Sequence, residues 1–263
     1  MRRSLLAVTL SCCSLSAFAA MKSEPVEYKI GAETFSGYLV YDDAEKDKRP
    51  GLVMVPNWMG ATQDSIEKAK KIAGDDYVIL VADMYGKGVR PKDSKQAGEQ
   101  THKTYSDGGT TVRARAQAAV DALKAQAGRL PLDASKIGAF GFCFGGSVVL
   151  ELARSGSELK GGVVSFHGGI DTYLPTDKNR INTSILVLNG ASDSSVTDEN
   201  VVAFRKEMTA AKADWQFVDF GGAVHCFTQP ESNDPPNCVY DEKAAKRAFG
   251  MMDDFFEERF AAK

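Results

Sequence analysis

The sequence predicts an α/β protein with three layers: helices on both sides of a mostly parallel sheet that starts with an antiparallel hairpin. Three observations carry that expectation. Short continuous apolar runs recur along the chain and read as strands buried on both faces, helical segments separate them at the spacing of right-handed crossover units, and the first two strand-like segments alternate apolar and polar residues around a glycine turn. No internal repeat, linker or second domain boundary interrupts the pattern, so residues 20–263 are expected to form one domain.

The first nineteen residues do not fit that domain. Met1-Arg2-Arg3 is a basic start, residues 5–18 form an apolar, small-residue run too short to span a bilayer comfortably, and Ala17-Phe18-Ala19 is an A-x-A cleavage site. A secretory signal cleaved after Ala19 is the expectation, with the mature chain exported to a periplasm or secreted and no membrane attachment after cleavage. Cys12 and Cys13 raise a lipoprotein alternative, but Thr9-Leu10-Ser11 is a poor approach to a lipidated cysteine.

Residues 26–30 and 35–41 then form the hairpin around Gly31-Ala32, and 42–50 is a charged loop. Buried strands are read at 51–56 and 77–82, with a helix over 64–73 between them. From 84 to 110 periodicity fails, and a loop that long inside a compact domain is usually functional or a lid. A helix follows over 112–127. Pro131 turns the chain into the strand beginning near Ile137, and further strands are expected at 161–166, 184–188 and 216–220, with helices over 198–212 and 241–260. Phe249, Met252, Phe255, Phe256 and Phe260 recur at helical spacing and read as core packing.

The chemistry centres on Gly141-Phe142-Cys143-Phe144-Gly145-Gly146, where a strand turns sharply into a helix. A strained strand-to-helix turn needs neighbours without side chains two positions either side, which Gly141 and Gly145 supply. Cys143 would then stand at a helix N-terminus, where unpaired N–H groups favour a thiolate. Two partners sit on loops that follow later strands: Asp193 in Asn189-Gly190-Ala191-Ser192-Asp193, and His225 in Gly221-Gly222-Ala223-Val224-His225. Nucleophile, acid, histidine is the chain order of one triad architecture and of neither other well-known one. An oxyanion site needs two backbone donors, read as the N–H groups of Phe144 and Trp58. His167 ends the strand after the elbow helix, one strand too early for a base, and is placed as a pocket residue; His102 is expected to face solvent.

These residues resemble the dienelactone hydrolases, cysteine-dependent members of the α/β-hydrolase fold. The resemblance spans the mature chain from Gly51 to the last helix. It rests on the cysteine elbow together with Ala82-Asp83-Met84-Tyr85, Gly190-Ala191-Ser192-Asp193 and His225-Cys226-Phe227. It implies hydrolysis of a carboxylic ester or lactone through an acyl-cysteine, with Cys143, Asp193 and His225 as triad. Two departures stand out. Asn57 occupies the place of a glutamate that interacts with the resting thiol, and Gln229 the place of an arginine that clamps a substrate carboxylate; Lys87 matches the clamp's other arginine, with Arg90 nearby. A neutral or differently shaped ester is therefore expected.

The net charge of -3, which becomes -5 when Arg2 and Arg3 leave with the signal, argues against nucleic acid as partner. No metal or cofactor is expected, since there are only three histidines and no H-E-x-x-H or Cys-x-x-Cys, and no phosphate-binding glycine loop occurs. Three cysteines remain after cleavage. Pairing Cys226 with Cys238 and leaving Cys143 free is the economical assignment for an exported protein, with two free loop thiols the alternative. Two other functions compete: a thiol redox protein using Cys143 with Cys226 or Cys238 as resolving thiol, and a binding protein on an idle hydrolase scaffold.

Overall fold

The computed structural model describes residues 21–172, 174, 176 and 180–262; the expected signal at 1–19 lies outside the described residues. Strands β1 (Met21–Ile30) and β2 (Glu33–Asp42) form the expected hairpin, closed at Gly31 with its left-handed φ of 56°. Then follow β3 (Arg49–Val55), α1 (Gln63–Ala73), β4 (Val78–Val81), α2 (Ser94–Tyr105), α3 (Thr110–Lys124), β5 (Leu132–Phe142) and α4 (Phe144–Arg154). The chain continues with β6 (Val163–Phe166), β7 (Ile185–Gly190), α5 (Asp198–Ala210), β8 (Trp215–Phe220), the short pair β9 (Asn233–Asp234) and β10 (Cys238–Val239), and α6 (Glu242–Ala261).

Eight strands make one sheet in the order β1-β2-β4-β3-β5-β6-β7-β8. The hairpin and the β2–β4 contact are antiparallel and every other pairing is parallel. Alternate residues of each buried strand feed two cores. Val53, Val55, Leu80 and Ala139 pack with Val120, Val149 and Met208 of α3, α4 and α5, whereas Leu52, Met54, Ile79 and Phe140 pack with Ile66 of α1 and with Met252, Phe256 and Phe260 of α6. That division, helices on both faces, is why these strands read as unbroken apolar runs. The aromatic stripe of the last helix is core, as its spacing predicts.

One expectation fails. The stretch 84–110, read as a long loop, contains α2, started by Asp93, whose side chain accepts from Gln96 N. Only Ala97 and Thr104 of this helix are buried, so it carries no apolar stripe for periodicity to detect.

Candidate active site

The elbow follows from glycine sterics. A Cβ on Gly141 would lie 2.2 Å from the Gly145 carbonyl oxygen, and one on Gly145 would lie 2.0 Å from that of Val55. With both absent, α4 approaches the ends of β3 and β5, and the chain reverses at Cys143 with φ 55° and ψ -120°, a conformation costing an L residue about 1–3 kcal/mol. Cys143 N donates to Phe166 O at 3.0 Å, anchoring the turn on β6. The thiol is the free one among the described cysteines.

The structure brings the three predicted side chains together at the carboxyl ends of their strands, the edge where open sheets form crevices. His225 Nε2 lies 3.0 Å from Cys143 Sγ, and His225 Nδ1 donates to Asp193 Oδ2 at 2.7 Å. Asp193 is oriented in turn by Ser195, whose backbone N–H and hydroxyl both donate to Oδ1, at 2.9 and 2.6 Å. Asp193 titrates below the usual carboxylate range: burial opposes this, but the bonds from His225 and Ser195 outweigh it. For His225 burial is again the largest single influence and favours the neutral ring. The bond to Asp193 and the neighbouring Cys143 sulfur overcome it and raise His225 to about 10. An imidazolium beside the sulfur is the expected resting state.

Among the described residues no protein acceptor meets the N–H groups of Phe144, at the start of α4, and Trp58. The turn carrying Trp58 is fixed on both sides, since Asn57 Oδ1 accepts from Met59 N at 3.0 Å and Tyr85 Oη donates to Trp58 O at 2.8 Å. Tyr85 also stacks on Phe144, with centroids 5.7 Å apart, and Tyr105 meets Phe144 edge-on at 6.0 Å, so an aromatic wall stands next to the nucleophile. Tyr85 belongs to a motif already noted; Tyr105 sits on the helix the sequence reading missed.

Asn57 and Gln229 also meet: Asn57 Nδ2 donates to Gln229 Oε1 at 2.8 Å, a neutral amide pair. Lys87 and Arg90 are tied to the N-terminal hairpin. Lys87 pairs with Glu27 Oε1 at 2.7 Å on the surface, and Arg90 donates to Ser36 O and Val89 O at 2.7 Å and contacts Asp83 at 3.3 Å, tying β2 to the segment after β4. His167 is fully buried rather than lining an open pocket. Its ring stands edge-on to His225 at 5.1 Å, and its Nε2 is 2.8 Å from Thr228 Oγ1. Burial, then the charges of His225 and Lys68, hold it well below the ordinary imidazole value, so it is neutral. A groove of about 1110 Å³ runs between α1 and α6 past Lys68, Tyr77 and Met252, and no triad residue lines it.

The family model of the dienelactone hydrolases matches residues 35–260. The chain belongs to that family. Two solved structures are close in sequence and fold. One, named m3DLH, is 36% identical with a TM-score of 0.83, covering 91% of this chain and 98% of its own. The other, a dienelactone hydrolase-like promiscuous phosphotriesterase from metagenomic libraries, is 37% identical with a TM-score of 0.82 and the same coverage. An uncharacterised protein of Caenorhabditis elegans is 38% identical over 165 residues, 59% of this chain and 99% of its own. This dienelactone hydrolase family member is an ester or lactone hydrolase acting on a small-molecule substrate. No helix among the described residues is long and apolar enough to cross a membrane.

Proposed function

We propose that the chain hydrolyses neutral carboxylic esters or lactones through an acyl-cysteine, with Cys143, His225 and Asp193 as the triad. The observation carrying this is the continuous chain of contacts from Sγ through the imidazole to a buried carboxylate, 3.0 and 2.7 Å long. The Cys143 thiolate attacks the carbonyl carbon, and the oxyanion that forms is held by the N–H groups of Trp58 and Phe144. His225, as imidazolium, protonates the departing alkoxide. It then takes a proton from water as that water attacks the thioester, and the tetrahedral intermediate expels the thiolate and the acid. Asp193 keeps the ring oriented throughout. The uncharged Asn57–Gln229 pair and the aromatic wall suit a substrate without a carboxylate.

Intact-mass measurement after mixing with an activated aryl ester tests the mechanism. One acyl group on Cys143, removed by hydroxylamine, is expected; turnover with acylation elsewhere would end the sulfur-nucleophile reading. A second reading, cleavage of phosphotriesters, is favoured by the same neutral lining and by the phosphotriesterase relative. Here the mass gain would be a phosphoryl group on Cys143. The leader-like start and a disulfide between Cys226 and Cys238 support export of the mature chain.

A further inference from the structure

His225 sits in the segment after β8, outside any regular element, yet it must hold a ring nitrogen 3.0 Å from sulfur. The residue after it, Cys226, is buried and adopts a left-handed backbone with φ 62°, which side-chain-bearing residues avoid unless something holds them there. Cys226 is joined by a disulfide to Cys238, twelve residues on. At the same point the backbone of Cys238 bridges to His225, and Val239 N donates to His225 O at 3.1 Å. Gln229 N donates to Cys226 O at 2.8 Å and Asp241 N to Phe227 O at 3.1 Å, so the β9–β10 pair and the start of α6 are folded back onto the histidine's own backbone.

We propose that the Cys226–Cys238 disulfide is a positioning device for the catalytic base: closed, it holds His225 in register with Cys143; opened, it releases the left-handed turn and the ring leaves the sulfur. The inference rests on the proposed role of His225 and adds a dependence on thiol state. Cys226 and Cys238 touch no reacting atom and act only through the His225 backbone. The cross-link closes a short local ring, and none of the eight sheet strands depends on it. Opening it therefore disturbs the base and spares the fold. A displacement of about 1 Å between reacting groups is enough to cost on the order of 100-fold in rate. The aromatic wall stands on other elements and stays in place, whereas Gln229, whose N–H is tied to Cys226 O, shifts with the turn, so the alkylation rate of Cys143 is the readout specific to the base.

The test uses the protein purified after export, treated with a water-soluble trialkylphosphine. The phosphine supplies two electrons, the S–S bond breaks, water provides the two thiol protons and its oxygen ends on phosphorus. Reduction is followed as two thiols gained. The expected result is a fall in kcat of about tenfold or more, together with a roughly tenfold slower alkylation of Cys143 by iodoacetamide at pH 7, because the sulfur loses its imidazolium. The double variant Cys226→Ala with Cys238→Ala should match the reduced protein and ignore the phosphine. Unchanged kcat and unchanged or faster alkylation in the reduced, folded protein would overturn the proposal, as would a loss that tracks unfolding by circular dichroism. If neither form turns over esters, the alkylation rate alone decides, which separates failure of this inference from failure of the hydrolase mechanism.

Discussion

The two halves of the reactive pair are held by opposite means. Around Cys143 the chain is fixed by exclusion: Gly141 and Gly145 leave no room for any side chain, and the flanking strand and helix are core on both sides. Around His225 the chain is fixed by ties: a carboxylate on the ring, a cross-link on the next residue, and backbone bonds to the β9–β10 segment. A nucleophile on a buried sheet needs no dedicated restraint, because close packing transmits the rigidity of the core to it. A base on an irregular segment has no strand or helix to carry it, and although Cys226, Phe227 and Thr228 beside it are buried, its ring is placed by explicit bonds. Substitutions at the nucleophile's supports should therefore change stability, and those at the base's ties should change rate.

The largest effect expected is on chemistry alone. Cys143→Ala removes a single sulfur that is partly exposed and only partly packed against the core, so aryl-ester turnover should drop by about four to six powers of ten with thermal midpoint little changed. Retained turnover, measured after excluding contaminating esterase, would break the comparison at its root.

Next comes the base side. Asp193→Asn leaves the ring without its anionic anchor, and kcat should fall about 10³–10⁴-fold with little change in fold. The pH profile sharpens this. The folded state holds the His225 proton up to about pH 10, so the general acid is present below that value and activity is lost as pH rises through it. Because Asp193 helps raise His225, the alkaline limb of Asp193→Asn should move to lower pH; an unmoved limb would show that another group controls it.

The nucleophile side answers in stability. In Gly145→Ala the new methyl carbon would overlap the Val55 carbonyl oxygen, and backbone cannot yield as a flexible side chain can. A loss of about 2 kcal/mol or more in urea denaturation is expected, with a parallel loss of activity. A variant of wild-type stability would mean that α4 is not pressed against β3.

What could be read from the chain follows the same division. Buried strands, the elbow and the order of triad residues were visible because each leaves a local trace: an apolar run, two glycines at fixed offsets, an acid or histidine just past a strand. The amphipathic seam of α6 was visible in its phenylalanines. Helix α2 was not, since a helix burying only Ala97 and Thr104 has no stripe and announces itself only by the Asp93 cap. The partners of Lys87 and Arg90 were not legible either, because Glu27 on β1 and the Ser36 carbonyl on β2 come near only when the hairpin pairs with β4. Ser195 next to Asp193 was within reach of an Asx-turn reading, whereas nothing local marks Thr228 as the partner of His167.

The smallest effect tests the pocket rather than the triad. Gln229 is nearly buried and its amide oxygen accepts from Asn57, so the site offers a substrate two dipoles and no charge. Gln229→Arg places a cation there, breaks one neutral hydrogen bond and leaves Cys143, His225 and Asp193 in place. Esters carrying a free carboxylate should gain about tenfold in kcat/KM over their neutral counterparts, the value of roughly one added charge-assisted bond. The gain should appear mainly in KM, because the new contact forms in ground and transition states alike. Indifference of the variant to the substrate carboxylate would mean that position 229 does not face the bound acyl group, and the neutral-ester preference would then need another origin.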